Sequence, residues 1–263
     1  GYIGSVGALT VSGQNVDNTQ TGLISSNSAL TITAQGRLSN SSQLSSGERM
    51  SIEARAGIDN TASGSLYSQS DLGLTTQGDI SNSGVIATRG NLALTANGST
   101  SRITGAAGSL LGAGVQSDGA LIGDARLDVS ATQSIAQHGQ LLSSGQQSHS
   151  AGTIDLTGSQ TSARALALQS NSALDLSGAT LAVSQTLTAS AGQTLRTDWA
   201  KLSADQIVLG AKDLSNIRGE IIQTGSGDLS INLPGSLDNT QGRIATNSQN
   251  LGIKAGVITN IDG

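Results

Sequence analysis

The chain has 263 residues and a formal net charge of −5, with 13 lysine and arginine residues against 18 aspartate and glutamate residues. This balance provides no basic surface for nucleic acid, and the absence of cysteine excludes a disulfide framework and a thiolate metal site. With one Trp, two Tyr and no Phe, the core must be aliphatic, and a pocket that depends on stacking against sugars, bases or cofactor rings is a poor first expectation.

The chain opens with GYIGSVGALTV, which lacks the basic region of a signal peptide. No apolar run approaches the roughly 18 residues that a membrane-spanning helix needs. Neither end of the sequence resembles a natural terminus or cap. We therefore expect an interior piece of a longer protein.

The first recurring element is a hydrophobic-x-hydrophobic strand core, which begins at Leu9 and Val11 and returns at a nearly constant step over the first five copies. This alternation predicts short strands with one buried face. The later copies are Leu30–Ile32, Met50–Ile52, Leu72–Leu74, Leu92–Leu94, Leu127–Val129, Ile154–Leu156, Leu174–Leu176, Ile207–Leu209, Leu229–Ile231 and Leu251–Ile253.

A second element, an aliphatic residue followed by Ser, Asp or Thr and then Asn, repeats with the same period. Asparagine tolerates unusual backbone angles and bonds to nearby main chain, so these residues are predicted at corners, where stacked copies would form an amide ladder. The alternative is exposed turn asparagines without a ladder. The set comprises Asn18, Asn40, Asn60, Asn82, Asn216, Asn239 and Asn260.

A third strand-like segment completes each unit, as in GLISS at 22–26, GSLYS at 64–68 and GRIAT at 242–246. A fixed period of this kind, about 20 residues long, indicates a solenoid. Leucine-rich repeats have similar periods, but they require a denser leucine pattern and a helical segment in each repeat. We therefore predict an all-β parallel solenoid of about twelve turns, which at the strand spacing of roughly 4.8 Å gives a rod on the order of 60 Å long.

The Asn period is interrupted between residues 98 and 203, where the steps between strand cores lengthen. We expect loop insertions at 104–124 and 143–152, and insertions in a solenoid commonly lie on a binding face. The glycine-rich GAAGSLLGAG at 105–114 lacks the Gly-Lys-Ser/Thr ending of a phosphate loop and is interpreted as a flexible insertion.

Few residues suggest chemistry, and we predict no catalytic, cofactor or metal site. His138 and His149 match no metal-ligand spacing and are expected in exposed loops. The tripeptide at 127–129 resembles an integrin-binding motif, but Leu127 and Val129 are predicted inside the rod. Trp199 is interpreted as core filler or part of a packed loop, with an interaction hot spot as the alternative.

Together, the Leu-x-Leu strand, the aliphatic-[Ser/Asp/Thr]-Asn corner and the Gly-aliphatic-Ile segment resemble the repeats of filamentous haemagglutinin, which also occur in contact-dependent growth inhibition exoproteins. The resemblance is clear over 5–97 and 204–263 and loose between them. It implies a right-handed parallel β-helix, one segment over 1–263, within a very large secreted protein. It also implies export by an outer-membrane two-partner secretion transporter to the surface of a Gram-negative bacterium.

The resemblance implies a non-enzymatic stalk that carries adhesive, receptor-binding or toxin regions away from the cell. The secretion and toxin domains of such proteins are not in this sequence, and no binding residue can be transferred. We expect a monomer whose partners include a cell-surface receptor or glycan.

The alternative is a β-helical protein that binds or degrades polysaccharide. Its groove would need clustered acidic residues, basic residues and sugar-stacking aromatic residues, and all three are scarce in this sequence. An ice-binding solenoid is a lesser alternative, because the outward Thr of LTIT at 30–33 is not maintained in later copies.

Overall fold

The computed structural model describes residues 1–262. All the secondary-structure elements in this range are β-strands. The first half of the chain contains β1 (Tyr2–Ser5), β2 (Leu9–Gly13), β3 (Val16–Asn18), β4 (Leu23–Ser26), β5 (Leu30–Ala34), β6 (Arg37–Asn40), β7 (Gln43–Ser46), β8 (Met50–Ala54), β9 (Gly57–Asn60), β10 (Ser65–Ser68), β11 (Leu72–Thr76), β12 (Asp79–Asn82), β13 (Val85–Thr88), β14 (Leu92–Ala96), β15 (Arg102–Gly105), β16 (Leu110–Ala113) and β17 (Leu127–Ala131).

The second half contains β18 (Ser134–Gln137), β19 (Gln140–Ser143), β20 (Gln146–Ala151), β21 (Thr153–Asp155), β22 (Gln160–Ala163), β23 (Ala165–Ser170), β24 (Leu174–Asp175), β25 (Thr180–Val183), β26 (Thr186–Ala191), β27 (Thr194–Arg196), β28 (Lys201–Ala204), β29 (Gln206–Gly210), β30 (Asp213–Ser215), β31 (Glu220–Gln223), β32 (Leu229–Asp238), β33 (Arg243–Thr246) and β34 (Leu251–Thr259). No helix in 1–262 is long and apolar enough to cross a membrane.

These strands form three parallel sheets, and each of the first ten turns contributes one strand to each sheet. In the last two turns, the long strands β32 and β34 belong to sheet 3, and no separate strand joins sheet 2. Sheet 1 has 12 strands, from β1 through every third strand to β31 and then β33. Sheet 2 has 10 strands, from β2 to β29, and sheet 3 has 12, from β3 to β30 followed by β32 and β34. The predicted parallel solenoid of about twelve turns is confirmed.

Equivalent residues of successive turns lie directly over one another. In sheet 2, Leu30 pairs with Leu9 on one side and with Met50 on the other. The inward side chains of one turn, Leu30, Ile32, Leu38 and Leu44, are all 0% exposed. Because parallel strands bury alternate residues against the turns above and below, the aliphatic side chains form continuous columns that make the core.

Two of the predicted strand cores in the middle turns belong to a different sheet, and the last two, Leu229–Ile231 and Leu251–Ile253, open the long strands β32 and β34 of sheet 3. Ile154 and Leu174 lie in β21 and β24 of sheet 3, so their assignment to the Leu-x-Leu row of sheet 2 is wrong. The inward residues of sheet 2 in the first of these turns are Gln147 and His149, which pair with Leu127 and Val129. The hydrophobic pattern missed β20 because polar residues occupy its buried positions.

One predicted insertion is shorter than expected, and the other is absent. Residues 104–113 belong mostly to β15 and β16, which stack in register, so the interpretation of 105–114 as a flexible insertion is wrong. The inserted loop spans 114–126, where Gly114, Gly119 and Gly123 have φ of 70°, 86° and 70° and Val115 forms an antiparallel bridge with Leu121. The predicted insertion at 143–152 is also wrong, because β20 fills most of it.

Candidate functional site

The predicted asparagines lie at the corner where sheet 3 ends and the chain turns toward sheet 1. In the first part of the rod, Asn18, Asn40, Asn60 and Asn82 end β3, β6, β9 and β12, and each side chain is at most 4% exposed. The Nδ2 atom of each donates to the Oδ1 atom of the next, at 2.8 Å in all three steps. The amides thus form a continuous row along the rod.

The same amides also bind the corner backbone. Asn40 Nδ2 donates to the Ser42 carbonyl at 3.0 Å, and the Gly84 amide donates to Asn82 Oδ1 at 3.2 Å. The corner chain passes so close that a Cβ on Gly64 would lie 2.2 Å from Asn60 Oδ1. This contact explains why a glycine opens the segment that follows Asn60, and Gly22 has the same close contact with Asn18.

A second row lies near the other end of the rod. Asn216 Nδ2 donates to Asn239 Oδ1, and Asn239 Nδ2 donates to Asn260 Oδ1, both at 2.7 Å. Thr197 Oγ1 extends the row by donating to Asn216 Oδ1 at 2.8 Å. The structure therefore brings the seven asparagines together as two rows of four and three.

Between the rows, other residues occupy the asparagine positions. The sheet 3 register places Gly105 after Asn82, and Gln137 after Gly105. Buried Leu156 and Leu176 then follow β21 and β24. Glycine and leucine have no side-chain amide, so the row of amide-to-amide bonds ends at Asn82 and begins again at Asn216.

The interior of these middle turns contains buried polar residues beside its aliphatic ones. Gln147 Nε2 donates to the Leu141 and Ser162 carbonyls at 3.0 and 2.9 Å, and Gln147 Oε1 lies 3.3 Å from His149 Nε2. Within residues 1–262, the buried side-chain atoms without a hydrogen-bond partner are the Oε1 and Nε2 of Gln137, Nδ1 of His149, Oγ of Ser159 and Oγ1 of Thr161. We call these residues, with Gln147, the polar seam.

Both histidines lie in the middle turns, but only one is accessible. His149 is 1% exposed, so its predicted place in an exposed loop is wrong, and burial lowers its pKa from 6.5 to about 4. His138 is partly exposed, and its Nδ1 lies 2.9 Å from the Thr157 carbonyl. In the integrin-like tripeptide, Leu127 and Val129 are inside the rod as predicted, at 0% and 2% exposure, and Asp128 is partly exposed.

Trp199 lies at a corner of the rod and is 60% exposed, so the interpretation as core filler or a packed loop residue is wrong. The Arg218 guanidinium carbon lies 4.6 Å from the centroid of its ring, at a distance typical of a cation–π contact. Sequence reasoning missed Arg218. The available signal was the repeat itself, because Arg218 follows Trp199 by close to one period and therefore belongs to the next turn at the same corner.

A shallow groove of about 530 Å³ runs beside the inserted loop. It is lined mainly by Ser and Ala, together with Leu121, Val183 and Arg164. The Arg164 guanidinium is engaged by Asp124 of the loop, with Nη2 and Oδ2 2.7 Å apart. No group of three His, Asp or Glu residues in the described part of the chain is placed to hold a metal ion.

The chain is similar in sequence to a known repeat family and to a bacterial toxin. A family model described as haemagglutinin repeat matches residues 1–42, 43–114 and 222–263, together more than half of the chain. Toxin CdiA of Yersinia pestis is 42% identical to the chain over 173 residues, which is 65% of this chain and 5% of that protein. No solved structure matches the chain.

Proposed function

The chain belongs to the haemagglutinin repeat family, and on that basis we propose that it is a stalk segment of a large secreted exoprotein. The stalk extends binding or toxin regions from the surface of a Gram-negative bacterium. The observation that carries the proposal is the in-register stacking of turns in all three sheets. Each added turn lengthens such a rod by about 4.8 Å without changing its cross-section.

The family and the relative support the partners that we propose. The full-length protein uses an outer-membrane two-partner secretion transporter, and its distal regions meet a cell-surface receptor or glycan. The segment itself is a monomer. The relative is named as a toxin, and the matched region covers 5% of it, which supports a spacer role and leaves toxicity to other parts of such a protein.

A non-enzymatic role is supported by how the acidic groups are used. Asp155 Oδ1 accepts from the Thr157 amide at 2.9 Å, and Asp175 Oδ1 accepts from the Ser177 amide at 2.9 Å. These carboxylates stabilise turns. A glycoside hydrolase instead needs two carboxyl groups facing each other across a substrate groove.

The test is to remove two whole turns. Deleting residues 43–84 joins Ser42 to Val85, which is equivalent in register to Gln43, so the remaining strands stack as before. Small-angle scattering of the purified chain should show a maximum dimension shorter by about 10 Å and an unchanged cross-section.

The same deletion in the full-length exoprotein should shorten its extension from the cell surface, measured by electron microscopy. A deletion of 43–79, which is not a whole number of turns, is the matched control and should destabilise the chain. A cross-section that widens after removal of 43–84 would contradict the stalk.

A further inference from the structure

One column of corner residues has the left-handed backbone conformation. It contains Gly158, Gly178, Trp199, Arg218 and Gln241, with φ of 68°, 67°, 60°, 56° and 54°. They occupy equivalent positions in successive turns, since each amide donates to the carbonyl just before the next residue of the column, as from Gly178 to Asp198 at 2.8 Å and from Trp199 to Ile217 at 2.9 Å. Glycine adopts this conformation without strain, whereas a bulky residue there is unusual.

Trp199 is 60% exposed although Arg218 covers one face of its indole, which leaves the other face to solvent. The Arg218 guanidinium lies over the ring, and Arg218 Nε donates to Gln241 Oε1, which holds the guanidinium in place. On the opposite side are the corners of Gly178 and Gly158, which have no side chains. A Cβ built on Gly178 would meet only backbone atoms of Gly158, at 3.9 Å or more, and one built on Gly158 would meet nothing within 4 Å.

Together these corners form a notch that extends over two turns, or about 10 Å, along the rod axis. The open face of the indole is one wall of this notch. Polar groups border it on both sides. Asp175 and Ser177 precede the Gly178 corner, and exposed Thr180 and Lys201 begin the sheet 1 strands that follow. Asp175 Oδ2 lies 3.8 Å from Arg196 Nη1, so charges of both signs are present.

We propose that this notch, which we call the Trp199 platform, binds a pyranose ring of an oligosaccharide. The C–H groups on the flat face of a pyranose carry partial positive charge and pack against the negative face of an indole. The surrounding carboxylate, hydroxyl and ammonium groups provide hydrogen-bond acceptors and donors for the sugar hydroxyls. The inference deepens the glycan part of the proposed function and rests on it.

Two features of the notch favour a sugar over other partners. A cationic ligand would share the indole with Arg218, which already covers one face. A protein partner would need a broader apolar centre, because interface cores surround their aromatic anchors with other apolar contacts. The apolar residue beside Trp199 at this corner is Ile217, which is only partly exposed, and the exposed Val208 lies on sheet 2.

The experiment uses the only tryptophan of the chain as its reporter. Cellohexaose and chitohexaose, whose rings carry equatorial substituents and expose flat apolar faces, are titrated into the purified chain. We expect a saturable blue shift of the indole fluorescence with at least one of them. No shift with either sugar at millimolar concentration would overturn the proposal.

Two variants separate binding from structure. Trp199→Gly suits the left-handed backbone, so it should keep or raise the melting temperature while abolishing sugar binding measured by calorimetry. Gly178→Asn, which also tolerates this conformation, fills the notch, keeps the reporter and should abolish the fluorescence shift. A Trp199→Gly chain that melts earlier and still binds sugar would show that the indole serves packing.

Failure of this proposal is distinguishable from failure of the stalk. A rod of the expected dimensions that binds neither sugar overturns only the platform. A compact particle in scattering overturns the stalk whatever the sugars do.

Discussion

At the scale of single residues, the side-chain amides of the asparagine rows make hydrogen bonds both between turns and to the corner backbone. The Asn40 amide bonds to Asn60 of the next turn and to the Ser42 carbonyl of its own corner, and Asn60, Asn216 and Asn239 make the same pair of bonds. Removing one amide leaves buried donors and acceptors without partners, which costs more than the bond itself contributes.

Asn40→Ala is therefore expected to lower the free energy of unfolding by about 1 to 3 kcal/mol. The measurement is chemical denaturation of the purified chain. Asn27→Ala, at an exposed link between β4 and β5, is the matched control and should change the free energy by less than about 0.5 kcal/mol. Equal unfolding midpoints for the two variants would show that the asparagine rows do not contribute to stability.

His149 makes stability depend on acidity. Its folded-state pKa of about 4 lies below the ordinary 6.5, so the unfolded chain binds a proton first as the pH falls. Stability from this residue is complete above pH 6.5 and decreases by about 3 kcal/mol as the pH falls from 6.5 to 4.

His149→Leu extends the aliphatic column between Val129 and Leu168, and it should abolish that acid-dependent loss. Unfolding curves between pH 7 and 4 provide the measurement, with partly exposed His138→Gln as the control. If the wild type and the leucine variant lose stability in parallel, the titration belongs to other groups.

At the scale of strands and loops, the regular turns were predictable because most inward positions are aliphatic and each turn has an asparagine at the corner after sheet 3. Leu72 and Leu74 in β11 illustrate this, since both are 1% exposed as the alternation predicts. β20 was not predictable, because Gln147 and His149 are buried through hydrogen bonds and stacking that a hydrophobic pattern does not register. Trp199 was misplaced because a corner position exposes a residue that composition assigns to a core.

The inserted loop and β20 should respond oppositely to deletion. Elsewhere, sheet 1 and sheet 2 strands are joined by short links, such as 89–91 between β13 and β14. Replacing 114–126 by a link of that length removes the hydrogen bond from the Tyr67 hydroxyl to the Val115 carbonyl, the ion pair of Asp124 with Arg164 and the small buried side chains of Val115 and Ala125. The leucine and isoleucine columns of the core remain complete. We expect a folded chain with a melting temperature within a few degrees of wild type.

Deletion of 143–152, by contrast, removes β20 and should prevent cooperative folding. Circular dichroism and thermal melts of both variants test the pair. A folded chain without 143–152 would contradict the assignment of β20 to sheet 2.

At the scale of the whole molecule, the rod has well-packed central turns and incomplete outer ones. β14 has its inward residues at 0% or 1% exposure, whereas the residues of β34 are all exposed or partly exposed. A terminal strand is paired on one side only, so its amides open more easily than those of central strands.

Amide hydrogen exchange should therefore be fastest in β1 and β34 and slowest in the turns around β11 and β14. We also expect one main unfolding transition for residues 1–263, consistent with the predicted single segment. Two separate transitions, divided at the polar seam, would show that the chain consists of two independent units.

The pairing of every strand with the strand one turn away has a consequence for how the molecule forms. Such partners are close in sequence over most of the chain. Each new turn can therefore pair with the preceding turn without contacts to residues far away in the sequence. A chain that emerges one end first can fold turn by turn in the order in which its turns emerge. Each finished layer then opposes retreat, and the free energy of folding becomes a directional force on the part that has not yet emerged.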